Sequence, residues 1–165
     1  MVPPVTAPDL EFKYQTKITR SGIGLNAHIV PVPDEVADRL KAARITRLVG
    51  ALNGHPIRRA LKGYADGGSF LIIGLTTLRG MGLSENAVVK VELRPDPNPD
   101  DLDIPDEFLI ALEQNEEANT RWQSFTIGKQ RSLVHYVASA KREETRIKRA
   151  IDMVSKIRTR TLHGD

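Results

Sequence analysis

Cysteine is absent from all 165 residues, which removes disulfides, thiolate nucleophiles and cysteine-ligated zinc from the available chemistry. That absence fits a reducing compartment. Aromatic residues make up only 5% of the chain, and the basic strands do not interleave them as a single-strand nucleic-acid platform would. No apolar run approaches the roughly 18 residues that a membrane span needs. The opening Met-Val-Pro-Pro-Val-Thr-Ala-Pro has neither the basic start nor the apolar run of a signal peptide. These features lead us to expect a soluble cytoplasmic protein.

Catalytic and metal-binding patterns are equally sparse. His28, His55, His135 and His163 form no short-spaced pair of the kind metal sites use. No nucleophile–base pair stands out, and the glycines at residues 21–24 and 63–68 lack the Lys-Ser/Thr that completes a phosphate loop. Asp34, Glu35 and Asp38 sit where a helix start explains them through the macrodipole. Asp100, Asp101 and Asp103 lack the glycine and glutamate that a calcium loop requires. The expectation is a protein with no intrinsic enzymatic activity, no cofactor and no metal.

What the chain does have is charge segregation. Residues 1–97 carry 13 Lys/Arg against 9 Asp/Glu, residues 98–120 carry 0 against 8, and residues 121–165 carry 11 against 4. A strongly acidic segment thus precedes a strongly basic one, although the net charge is only +3.

Hydrophobic periodicity divides the chain at the same place. Phe12, Tyr14, Thr16 and Ile18 alternate, as do Leu25, Ala27 and Ile29, which predicts strands. Asn53-Gly54 predicts a type I′ hairpin, because both central positions need positive φ, and Gly67-Gly68 marks a second turn. Residues 47–51, 69–75 and 87–93 read as further strands, the last two apolar enough to be buried on both faces. Short helices are expected at residues 33–40 and 77–81. Pro95, Pro97 and Pro99, interleaved with acids, break both helix and ladder and keep the segment solvated. Beyond them the pattern is helical. Pro105 precedes acids in a first turn, residues 115–125 centre on Trp122, and Leu133, Tyr136, Val137 and Ala140 share a face. Ile147, Ile151, Val154 and Ile157 resume the period after a break. The expected class is α+β: a flexible tail at 1–8, a small β-barrel at 9–95, a Pro/Asp-rich linker at 96–104 and an all-helical unit at 105–165.

The break falls at Ala140-Lys141-Arg142-Glu143-Glu144-Thr145-Arg146. With Trp122 and the stretch from Pro105 to Leu112, this motif makes residues 104–160 resemble the bacteriocin-protection family named for YdeI or OmpD association. The N-terminal part is similar to a small β-barrel domain of unknown function that often precedes it. The matching residues are Ile29-Val30-Pro31-Val32-Pro33, Val49-Gly50-Ala51-Leu52-Asn53-Gly54-His55-Pro56, and Gly82-Leu83 before Val88-Val89-Lys90-Val91. Glu85-Asn86 departs from that pattern, where relatives have Gly-Asp, yet Asn supplies the same positive φ. The resemblance implies a bacterial protein whose barrel is similar to the double-split barrels of AbrB-type transcription factors. Fold likeness does not transfer DNA binding, and no catalytic residues carry over.

The candidate site is basic. Lys141 and Arg142 belong to the signature, and at 100° per residue Arg142, Arg146, Arg149, Lys156 and Arg160 fall on one helical stripe. Such a stripe suits an anionic or protein partner. The competing reading pairs Arg142 and Arg146 with Glu113, Glu116 or Glu117, which leaves Arg149, Lys156 and Arg160 exposed. A binding or adaptor protein follows from the first reading. The alternatives are a small-ligand-binding barrel and a DNA-binding regulator that uses Arg44, Arg47, Arg58 and Arg59 around the Asn53-Gly54 hairpin. Nucleic acid is not favoured as a partner, because the acidic segment would repel a polyanion.

Overall fold

The computed structural model describes residues 10–22, 24–98 and 102–165. The expected tail at residues 1–8, residues 99–101 of the expected linker, and with them Asp100 and Asp101, lie outside the described residues. The strands are β1 (Phe12–Lys17), β2 (Thr19–Arg20), β3 (Ala27–Val32), β4 (Arg47–Leu52), β5 (His55–Ala60), β6 (Lys62–Gly63), β7 (Ser69–Gly74) and β8 (Val88–Pro95). Helices α1 (Asp34–Ala42) and α2 (Leu75–Gly80) lie among them. The helices α3 (Asp106–Glu113), α4 (Glu116–Ser124), α5 (Ile127–Ala138) and α6 (Glu143–Thr159) follow.

The strands form two antiparallel four-stranded sheets, ordered β1-β8-β4-β5 and β2-β3-β7-β6. Asn53 and Gly54 take the positive φ of the predicted hairpin turn, at 48° and 83°. The Asn53 side chain accepts from Lys90 N at 2.8 Å, which ties the hairpin tip to β8. Asn86 also adopts positive φ, 69°, so the turn survives the Glu85-Asn86 departure. The inner faces of both sheets, with Leu40 of α1 and Leu78 of α2, build the first core.

Period-2 patterning decides which strands are half-buried. β7 is buried along its whole length, as expected. Leu71 and Ile73 point into the first core, while Phe70 and Ile72 join Ala27, Ile29 and Ile110 in another. For β8 the expectation of two buried faces fails. Val89, Val91 and Leu93 are buried but Val88, Lys90, Glu92 and Arg94 are exposed, because among the described residues no element covers the outer face of its sheet.

The helical unit has its own core, centred on Trp122. Its ring meets Phe108 and Phe125 edge-on at centroid distances of 5.1 and 6.2 Å. Asn115 caps α4 by accepting from Ala118 N, and Thr126 caps α5 by accepting from Lys129 N. The buried face of α6 is Ala150, Met153, Val154 and Ile157. Ile151, expected on that face, is exposed, one step round the helix from the residues that meet α3 and α4. Tyr136 is likewise exposed, and the Arg149 guanidinium lies over its ring. Among the described residues no helix is long and apolar enough to cross a membrane.

Ile110 joins the two units. It is fully buried against the outer face of the β3–β7 ladder. Gly74 lets it approach, since a Cβ there would sit 2.9 Å from Ile110 Cγ2. Ile110→Ala should cost about 2–5 kcal/mol, the range for a buried aliphatic truncated to alanine. Urea denaturation followed by Trp122 fluorescence and far-ultraviolet dichroism checks this, and the two probes should separate as the shared core weakens.

Candidate functional site

The acidic first turn of α3 faces the basic strands β4, β5 and β6. The α3 turn carries Asp106 and Glu107, directly after Pro105. Negative charge belongs at a helix N-terminus, but these two carboxylates are also buried. Asp106 Oδ1 lies 3.5 Å from Arg47 Nη1, and Asp106 Oδ2 accepts from the Ala60 backbone N–H at 3.2 Å. Asp103 reaches the same Arg47 nitrogen at 3.0 Å. Glu107 Oε1 receives two cations, Lys62 Nζ at 3.3 Å from the β unit and Arg146 Nε at 3.1 Å from α6. A cleft of about 330 Å³ opens beside this node, lined in part by Thr46, Leu61, Lys62, Asp103, Ala138 and Arg146.

The two carboxylates respond in opposite ways. Burial pushes Asp106 above the ordinary carboxylate range, and the charges of Arg59, Lys62 and Arg47 oppose that only in part. Burial also acts to raise Glu107, but the Lys62 ammonium and the Arg146 guanidinium outweigh it and hold the carboxyl below its usual value. Further along, Arg58 pairs with buried Asp96 and donates to Asn98 O at 3.2 Å. Asp96 is held low by Arg58 and the Asn98 N–H against its own desolvation. The acids after β8 were expected to keep that segment solvated. Asp96 is buried instead, because Arg58 stands two strands away with its guanidinium in reach.

Arg146 also shapes the signature itself. Its Nη1 donates to Ala140 O at 3.1 Å and to Lys141 O at 2.9 Å. One side chain therefore pins the α5–α6 turn and reaches the buried α3 carboxylate. Lys141 and Arg142 are left exposed on the pinned turn.

The predicted stripe is dispersed. Arg142 is the residue before α6 and Arg160 the left-handed residue after it, so neither continues the helical face. Arg149 donates to Tyr136 O at 2.9 Å and to Ser139 Oγ at 3.2 Å, closing the end of α5. Lys156 pairs with Asp152 on its own helix at 3.2 Å. Arg146 does pair internally, but with Glu107 rather than Glu113, Glu116 or Glu117, since the first turns of α6, which carry Arg146, lie beside the first turn of α3. Glu113 lies near Arg59 instead, with 3.7 Å between the charged groups.

The expected DNA contacts are also redistributed. Arg44 is exposed, but Arg47 and Arg59 are buried, with Arg59 Nε donating to Ile72 O at 3.0 Å. Arg58 is engaged with Asp96. The residues that sequence reasoning passed over are Lys62, Asp106 and Glu107. The macrodipole accounts for the two acids locally, and no periodicity announces a partner 45 residues away in the chain. The opposed charges of residues 1–97 and 98–120 were the available signal.

Residues 101–160 match the family described as "Bacteriocin-protection, YdeI or OmpD-Associated". The matched segment contains the whole signature and both node carboxylates. No curated protein matches the chain.

Proposed function

We propose that the protein is a non-enzymatic, cytoplasmic binding or adaptor protein of the bacteriocin-protection type, and that Lys141 and Arg142 contact an anionic protein partner. The observation that carries this is the double engagement of Arg146. By bonding Ala140 O and Lys141 O while paired to Glu107, it holds the turn in one conformation and presents its two neighbouring cations to solvent. A preorganised pair of exposed cations loses less conformational entropy on binding than two free side chains would. The family match to residues 101–160 supports the protective role.

Lys141→Glu together with Arg142→Glu should leave the thermal transition within about 1 °C of wild type, as expected for exposed positions. The same pair should remove the protection that the wild-type chain confers on cells challenged with a bacteriocin. Protection retained by that double variant sinks the proposal.

Other readings have less support. A regulator built on an AbrB-like double-split barrel would need Arg47, Arg58 and Arg59 free, and all three are engaged within the molecule. A ligand-binding barrel would need interior space, whereas Leu48, Leu52, Leu71 and Ile73 fill the region between the sheets.

A further inference from the structure

The outer face of the β1-β8-β4-β5 sheet carries charge that no element among the described residues covers. β1 and β8 pair in the register Lys13↔Glu92, Gln15↔Lys90 and Lys17↔Val88. Alternate residues share a face, so Lys13 and Lys17 of β1 stand on the same side as Lys90 and Arg94 of β8, and all four are exposed. The register makes them a zigzag. Lys13, Lys90 and Lys17 occupy alternate rows of the ladder on opposite strands in turn, Lys13 facing Glu92, and Arg94 stands one step beyond its end.

Each step runs two residues along a strand and one strand across, so neighbouring cations lie roughly 8 Å apart and the array is about 20 Å long. Among the described residues Lys17, Lys90 and Arg94 have no ionic partner. Lys13 is 83% exposed and meets Glu92 at 3.7 Å, a surface pair of small worth. Glu11 shares a cleft with Arg94 at one end of the array, so the cationic character is greatest toward Lys90 and Lys17.

We propose that this face binds the phosphodiester backbone of duplex nucleic acid without regard to sequence. A linear row of evenly spaced, singly charged heads complements a polymer that carries one charge per nucleotide. None of the outward residues Lys13, Gln15, Lys17, Val88, Lys90, Glu92 and Arg94 is aromatic, so the face offers nothing for unstacked bases to rest on. It is also separate from Lys141 and Arg142, and it uses none of the arginines tied up around the α3 node.

The test uses the full chain and a fluorescein-labelled duplex of about 20 random base pairs, with binding followed by anisotropy as salt rises from about 30 to 200 mM. With three to four phosphates neutralised, log K should fall against log salt with a slope of about −3. Lys17→Glu with Lys90→Glu should weaken low-salt binding at least tenfold and shallow the slope by about 2, since each lost contact removes about 0.9. Lys141→Glu with Arg142→Glu should leave both unchanged. Absence of binding at low salt overturns the proposal, as does full binding by the Lys17/Lys90 variant. Equally tight binding of poly-glutamate would overturn it in favour of an acidic protein.

Discussion

Gly50→Ala is expected to leave the chain without a stable fold. Gly50 lies on β4 opposite Leu93 of β8, and a Cβ built on it would stand 1.7 Å from Glu92 O and 2.7 Å from Glu92 C. Those atoms are backbone, held in the ladder that joins β4 to β8, so no side-chain rotation relieves the overlap. The strands would have to separate, which would break hydrogen bonds at the centre of their sheet and open the core that Leu48, Leu52, Val91 and Leu93 form beneath it. Overlap with fixed backbone belongs to the few mechanisms that cost more than about 4 kcal/mol, and a domain of this size has only about 5–15 kcal/mol in total. Amide proton–nitrogen spectra should collapse to the narrow dispersion of an unfolded chain. Gly22→Ala is the matched control, because among the described residues nothing lies within 4 Å of a Cβ there, and its spectrum should remain dispersed.

Glu107→Ala should destabilise the protein by about 3 kcal/mol, which urea titration at neutral pH would measure. Removing the carboxylate leaves two cations from different parts of the fold, Lys62 and Arg146, facing each other without a counterion. Breaking a buried pair from one side costs about 3–5 kcal/mol. The lower end applies here because the side chains of Lys62 and Arg146 are 19% and 22% exposed and can turn toward water. Arg146 would also lose its anchor, so the turn that carries Lys141 and Arg142 should become more mobile.

The pH dependence separates the two node acids. Glu107 has a folded value below its ordinary 4.5, so its contribution is present above that pH and is lost as pH falls through the folded value. Asp106 is raised above 3.8 by burial, so it acts with the opposite sign and its contribution declines as pH rises. In Glu107→Gln the acid-side loss of stability should be shallower than in wild type, and in Asp106→Asn it should be steeper. An identical acid limb in all three proteins would mean that the node carboxylates do not titrate as their surroundings require.

Much of the architecture follows from local chemistry. The Asn53-Gly54 hairpin, the Asn86 turn, the start of α3 at Pro105 and the break between α5 and α6 all lie where nearby residues demand them. Positive φ, a missing N–H and a 3.6-residue period are properties of short segments, so they are legible without the rest of the chain. The central place of Trp122 is similarly local, since a lone large ring among helical apolar residues has few other positions to take.

Tertiary structure decided what the charges do. Strand register set Lys13, Lys17, Lys90 and Arg94 on one open face, and the same alternation left the outer side of β8 exposed where composition suggested burial. Docking of α3 against β4, β5 and β6 drew Arg47, Arg59 and Lys62 inward, the segment after β8 engaged Arg58 through Asp96, and the packing of α6 on α3 gave Arg146 its partner in Glu107. Hydrophobic period reports which face of an element is buried. It carries no information about which distant element lies against that face, and a charge's role depends on that neighbour. The acidic run between two basic stretches was the one long-range signal written in the sequence, and it left open which cations, if any, its carboxylates would meet.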